Sequence, residues 1–268
     1  MTLKTLHLIG ILDEAFFRGM LIASRQIFWK DRKLSALDYV QDGLLSMWDG
    51  IENAGFGIHL NETGNWHDLI GNNSFEILSN NYGNFLDNCY ITKPPQDNSS
   101  PIGKIGKVLQ FEHAEVVSRP LFNQPIGQNI FTVWNQTKSG STAITNDIIY
   151  TSFNADKSII GFSKNSTGKF SGCRIPITEN TIYSISVNYN LSDYSATTAY
   201  INGHEYPVVE APEGGNHNAG GRFTIGGREQ GYSSFHGCIY CIRLYSKSLS
   251  VSDIQHNYQV DKKRFNII

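Results

Sequence analysis

The stretch FHGCIYCIRLYSKSLSVSDIQHNY, residues 235–258, carries two kinds of order in succession. Its first half, Gly237–Tyr245, reads as a β-strand, rich in β-branched and aromatic residues and bounded by a glycine and a serine–lysine–serine turn. Its second half opens on Ser250, which can cap a helix. Asp253 follows at the third helical position, a capping-box spacing with Asp in place of Glu. Val251, Ile254 and Tyr258 then share one face at i, i+3 and i+7, so a short C-terminal helix is predicted to pack on the rim of a β-structure.

Working outward, short β-like runs at 43–48, 107–111, 129–135, 148–153, 158–162, 183–189, 197–201 and 222–225 are separated by Gly, Asn, Ser and Pro clusters. No helical period intervenes, which predicts an all-β chain folded as a two-sheet antiparallel sandwich. Composition agrees. Of 268 residues 12% are aromatic and only 17% charged, against a usual charged share of about 25%, a mixture suited to aromatic-rich strands joined by turns. The segment KPPQDNSSP at 93–101 is a loop on composition alone. Residues 1–36 differ: Leu12, Phe16, Met20, Ala23 and Ile27 recur at three or four, the stripe of an amphipathic helix, although Gly10 and Gly19 interrupt it. The expected organisation is therefore an N-terminal helical arm, 1–36, and one sandwich domain, 37–268. The arm either packs on its own body or docks on other assembly subunits, a homo-oligomer included.

Several functions are disfavoured. A net charge of −2 offers no basic face for phosphate backbones, so no nucleic acid is expected, and Lys262, Lys263 and Arg264 read as a solvated tail. The four cysteines, Cys89, Cys173, Cys238 and Cys241, are too scattered for a disulfide scaffold and read as free core thiols. Cys238 and Cys241 match C-x-x-C, but on a strand i and i+3 point to opposite faces, which argues against zinc or redox use. Asp13, Glu14, Arg18 and Arg25 break the apolar N-terminal stretch, so no membrane span is expected, and the run 6–12 is too short for a recognisable signal peptide. Catalytic fingerprints of the G-x-S-x-G, H-E-x-x-H, P-loop and dinucleotide kinds are missing from the sequence. Glu112 and Glu115 have the wrong parity to share a strand face as a glycosidase pair, and Glu52, Glu76, Glu205 and Glu210 stand apart. The expectation is a non-enzyme, with a glycan-active hydrolase or lyase as the lesser alternative.

Loop clusters remain. Asp68, Asn72 and Asn73 with Gly71 form an oxygen-rich turn that either holds calcium or is simply stabilised by its Asp and Asn side chains. The segment APEGGNHNAGG at 211–221, with Asn216, His217 and Asn218, is either a loop over a binding edge or a hairpin tip. Trp48, Trp66 and Trp134 either stack on sugar rings or belong to the core, and Trp66 is the candidate nearest the polar turn.

The C-terminal third resembles the laminin-G/pentraxin-like branch of the concanavalin A-like lectin and glucanase jelly rolls. The likeness lies in Thr198-Ala-Tyr-Ile-Asn-Gly203, Ile225-Gly226-Gly227, Phe235-His-Gly237-Cys-Ile239, Ile242-Arg-Leu-Tyr245, Leu249-Ser250, Ile254 and Asn257-Tyr258, in that order. Upstream, LLSMWDG at 44–50 and WHDLIGNN at 66–73 are similar to the family's opening strand and its W-x-D-x-x-G-N segment. The resemblance implies a jelly-roll fold over roughly 38–260 and makes Asp68 the first candidate calcium ligand, while Tyr240 stands where many relatives place an acid. The sequences around Tyr39 and Asn257 are similar to laminin-G-like proteins of Bacteroides-type gut bacteria and their phages. From this resemblance the expected function is a lectin-like, non-enzymatic module for carbohydrate or surface-receptor recognition in a phage virion or extracellular surface assembly, with a glycan or protein as ligand. The alternative is a purely structural assembly protein docked through residues 1–36.

Overall fold

The computed structural model describes residues 33–78, 83–92, 103–106, 109, 111–121, 129–139, 142–152, 158–159, 163–164, 170–172, 175–176, 178, 180–188, 198–207, 209–211, 223–225, 235 and 237–268. The helical arm expected at 1–36 lies almost wholly outside them, as does the loop at 93–101. The chain divides after Ser35, and the larger unit, Ala36–Ile268, carries the sandwich.

In chain order the strands are β1 (Leu44–Asp49), β2 (Asn65–Trp66), β3 (Phe75–Ile77), β4 (Gly83–Leu86), β5 (Cys89–Thr92), β6 (Gly103–Ile105), β7 (His113–Pro120), β8 (Asn129–Ser139), β9 (Thr142–Ser152) and β10 (Ser158–Ile159). They continue as β11 (Ser163–Lys164), β12 (Phe170–Gly172), β13 (Ile175–Pro176), β14 (Tyr183–Asn188), β15 (Thr198–Ile201), β16 (His204–Tyr206), β17 (Val209–Ala211), β18 (Phe223–Ile225) and β19 (Gly237–Tyr245), and helix α1 (Val251–Phe265) follows. One antiparallel sheet runs β16-β15-β14-β7-β19-β5-β4, with β1 also paired to β19; the other runs β2-β3-β6-β18-β8-β9. The fold is the expected two-sheet antiparallel sandwich with a C-terminal helix.

Between the sheets lies an aromatic core. Trp48, Phe75 and Phe223 pack at ring-centroid distances of 4.6 to 5.9 Å, and Trp66 packs on Phe85 at 5.3 Å and on Tyr90 at 6.2 Å. Each such side chain, fully hidden, is worth about 1.5–3 kcal/mol over exposure, so this cluster dominates cohesion. The hairpin β15–β16 turns on Asn202 and Gly203, both at positive φ (51° and 75°), the paired left-handed conformation of a two-residue turn that matches strand twist.

The centre of the large sheet is β7 and β19, and each is buried along nearly its whole length. Strand β19 is where the sequence predicts it. β7 departs from the expected run at 107–111: the strand begins at His113, and Phe111 is a buried residue just before it. The reason is that β7 is covered on both faces, so polar residues such as Glu115 occupy a buried strand and mask its period.

Helix α1 covers the outer face of this sheet and is capped as the sequence indicates. Ser250 Oγ accepts the Asp253 N–H at 3.2 Å, and Asp253 Oδ2 accepts the Ser250 N–H at 3.3 Å. Beneath the helix is a second, polar core. Arg243, on β19, donates to Glu115 at 2.6 Å and forks onto Asp261 of α1 at 2.7 and 2.8 Å. Tyr39 donates to Asp261 at 2.8 Å and lies under the Arg243 guanidinium, 3.9 Å from its ring centroid. Asn257 donates to Glu115 at 2.9 Å. The expected solvated tail at 262–264 is overturned at Arg264: it is buried and forks onto Asp49, with Glu52 beside it. A buried carboxylate keeps its charge only with such partners, so the helix and sheet are matched by charge as well as by apolar contact.

Candidate functional site

One solvent-facing cleft, of about 330 Å³, opens where the two sheets meet at an edge. Its described lining comes from four places in the chain: Asn61, Glu62 and Thr63 in the loop between β1 and β2, Ile77 at the end of β3, Gly83 to Phe85 on β4, and Tyr90 on β5. The loop residues are held by local bonds. Thr63 Oγ1 donates to the Asn65 carbonyl at 2.9 Å and accepts its N–H at 3.1 Å, while Asn61 Oδ1 meets His59 Nε2 at 3.0 Å. His59 in turn reaches the Ile51 carbonyl through Nδ1 at 3.1 Å. The turn is therefore braced from β1 outward.

The cleft wall is close-fitted. A Cβ at position 83 would lie 2.2 Å from the Ile91 carbonyl oxygen and 2.7 Å from Tyr90 Cε1, so only glycine lets β4 lie against β5 here. Tyr90 supplies the most telling atom. It is 1% exposed, its ring stacks in the core, and its hydroxyl is buried with no hydrogen-bond partner among the described residues. Burial pushes its phenol well above the usual tyrosine range, so the hydroxyl is a neutral donor and acceptor. A hydroxyl left in this state costs about 1–3 kcal/mol, which is the signature of a polar group that awaits a water or a ligand.

The residues expected to form a site fall elsewhere. Trp66 is fully buried, donates through Nε1 to the Asp49 carbonyl at 2.9 Å, and packs on Phe85 and Tyr90, so it backs the cleft as core instead of presenting a stacking face. Asp68 spends its oxygens on the backbone: Oδ1 accepts the N–H groups of Met47 and Ile70 at 2.9 and 3.1 Å, and Oδ2 accepts that of Asn73 at 3.1 Å. Asn72 is exposed, and its neighbour Asn73 donates to Ser46 at 2.7 Å. This is a turn that latches 68–73 onto β1. Among the described residues no group of three or more His, Cys, Asp or Glu is gathered for a metal. Asn216, His217 and Asn218 lie outside the described residues. The cleft escaped sequence reading because its polar lining is spread over about thirty positions and its key hydroxyl belongs to a residue that looks like core. The glycine at 83, on a strand, was the one local signal of a close backbone approach.

The parity argument against Cys238 and Cys241 also changes. The pairing of β19 with β7 shifts register between Ile239 and Cys241. Ile239, Ile242 and Leu244 face the inter-sheet core, and the three-residue step from Ile239 to Ile242 is a β-bulge. Both cysteines thereby lie on the outer face. They still do not form one site: Arg119 donates to Cys238 at 3.1 Å, while Cys241 sits against Arg243 at 3.4 Å.

A two-sheet jelly roll with one flanking helix and a cleft at the sheet edge defines a lectin-type β-sandwich. Residues 125–255 match a laminin-G family model of the concanavalin A-like lectin/glucanases superfamily. The cleft is built from residues upstream of the matched segment. No curated protein matches the chain. Among solved structures, the chain is similar to Trypanosoma rangeli sialidase in complex with the inhibitor DANA, at 11% identity and a TM-score of 0.50, covering 92% of this chain and 39% of the sialidase. It is also similar to a mutant of HCR/D, at 14% identity and a TM-score of 0.50, covering 81% of this chain and 51% of that one. A third, the receptor-binding domain of a botulinum neurotoxin C/D mosaic serotype, has 15% identity, a TM-score of 0.48, and 82% and 52% coverage. These identities show a shared fold alone. The chain spans a third to two fifths of the length of the sialidases it matches.

Two expectations are corrected by these findings. The sandwich is similar to part of a sialidase, a glycan-active hydrolase. The assignment to a non-enzymatic recognition module of a virion therefore does not stand, and neither does the exclusion of enzymes. The non-enzyme expectation rests on missing sequence fingerprints and the virion module on a family resemblance, whereas the same sandwich occurs within enzymes whose catalytic groups need not follow a linear motif.

Proposed function

We propose that this chain is the glycan-contacting sandwich of a glycan-active protein and that the edge cleft lined by Asn61, Glu62, Asn84 and Tyr90 takes one sugar ring. The observation that carries the reading is the Tyr90 hydroxyl, buried without a partner in a residue that lines the cleft. A sugar hydroxyl both donates and accepts, and so satisfies a phenol that the protein leaves unmatched. Carboxamides at Asn61 and Asn84 and the carboxylate of Glu62 supply the directional contacts that ring hydroxyls require, while Phe85 and Ile77 offer apolar surface to the ring's C–H faces. A volume near 330 Å³ is at the low end for ligand clefts, about 300–1,000 Å³, which suits one ring of a longer glycan. The sialidase likeness supports a glycan context at the level of fold.

Titration of the isotope-labelled full chain with neutral oligosaccharides and with sialyllactose, followed by NMR, tests this. Expected are shifts centred on residues 61–63 and 83–90 for at least one glycan, with affinity roughly fivefold lower in Tyr90→Phe. Chromatography of the same mixtures reads any sugar released, and Glu62→Gln shows whether the carboxylate takes part. Shifts absent for every glycan, or centred elsewhere on the sandwich, overturn the reading.

A further inference from the structure

We propose that Cys89 and Cys238 form a peroxide-sensitive dithiol that closes to a disulfide across β5 and β19. Antiparallel pairing sets Cys238 opposite Ile91 and Ile239 opposite Tyr90, so Cys89 and Cys238 are diagonal neighbours on the outer face of the large sheet. Both are free thiols and both are buried. Diagonal neighbours stand about 7–8 Å apart at Cα, beyond the usual disulfide span of about 4.4–6.8 Å. Closing the bridge therefore asks a small approach of the two strands at that point. Strand β19 is already bulged there, between Ile239 and Cys241, and β5 is joined to β4 by the two-residue turn Asp87-Asn88 at the sheet's end.

The two sulfurs have unequal roles. Cys238 Sγ accepts from Arg119 Nη2 at 3.1 Å. The neighbouring Cys89 thiol, with Arg119 beside it, outweighs burial and holds Cys238 at about 6, while Cys238 and burial push Cys89 far up. Cys238 is thus the thiolate and Cys89 the proton-bearing partner. Arg119 and Ile91, the residues opposite Cys238 on the two flanking strands, are both half-buried. In the reaction with a hydroperoxide, Cys238 Sγ attacks one peroxide oxygen, the O–O bond breaks, and the leaving oxygen departs as hydroxide, giving a sulfenic acid. Cys89 Sγ then attacks that sulfur, its proton joins the departing oxygen, and water leaves. Two thiols and one hydrogen peroxide become one disulfide and two waters.

The test treats the folded full chain with hydrogen peroxide, then counts thiols after denaturation and maps linked peptides by mass spectrometry. The expected result is loss of two of the four thiols, a peptide joining Cys89 to Cys238, and full reversal by dithiothreitol. In Cys89→Ser the reaction is expected to stop at a dimedone-trappable sulfenic acid on Cys238. Arg119→Met, which keeps both thiols, is expected to slow the loss about tenfold. Retention of all four thiols, a link that uses Cys241 or Cys173, or oxidation that starts at Cys89 overturns the proposal.

Discussion

Replacing Tyr90 by phenylalanine removes one oxygen and tests the cleft twice, with opposite signs. In the free protein that oxygen is buried and unmatched. A buried hydroxyl without a partner costs about 1–3 kcal/mol relative to water, so deleting it relieves that cost. The ring itself stays packed on Trp66 and Phe85, at 6.2 and 5.1 Å, and no methylene is lost. The expected outcome is a gain of about 1 kcal/mol in unfolding free energy, or about 2–4 °C in Tm for a domain of this size. Bound glycan loses a hydrogen bond of about 1 kcal/mol net, so affinity falls roughly fivefold. Urea unfolding and differential scanning calorimetry read the first effect, and the NMR titration reads the second. A variant that is less stable than the parent by 1 kcal/mol or more would refute the reasoning, because it would mean that the hydroxyl is satisfied in the free protein.

Three further outcomes are expected. Burial alone would push the Glu115 carboxyl up, but Arg243 and His113 more than reverse this and hold it at about 2, below its ordinary 4.5. Between those values the unfolded chain takes up a proton that the folded chain refuses, so this contribution is complete above pH 4.5 and fades as pH falls toward 2, by about 3 kcal/mol. Burial moves Asp261 upward and offsets part of it. Urea midpoints from pH 7 to pH 2.5 should show Glu115→Gln several kcal/mol less stable at neutrality and converging on the parent in acid; parallel curves would contradict the assignment. Ser250→Ala removes the cap of α1 and should cost about 1 kcal/mol, read as a lower urea midpoint with unchanged slope. Gly83→Ala drives a Cβ onto the Ile91 carbonyl, so it should cost about 1–3 kcal/mol and abolish glycan shifts at the cleft; a variant as stable as the parent would show that β4 does not lie against β5 as described.

The amino-acid sequence by itself determined what local rules govern. The bounds of β19, the capping box of α1 and the Asn202-Gly203 turn were legible because each depends on residues within a few positions of one another. Tertiary structure decided the rest. Whether Arg264 was tail or buried ion pair depended on Asp49 and Glu52, over two hundred positions away. The faces taken by Cys238 and Cys241 depended on a bulge that exists only because β19 pairs with β7, and period-two reasoning cannot see an extra residue. Glu115 could be read as a stray acid until Arg243 and Asp261 were brought against it from the far end of the chain. Trp66, left open between sugar stacking and core, went to the core, and Tyr90, which the sequence did not single out, lines the cleft and carries an unmatched buried hydroxyl. Hydrophobicity along the chain reports which side chains leave water. It does not report whether a hydroxyl carried inward with its ring will find a partner, because that partner comes from another strand or from outside the protein.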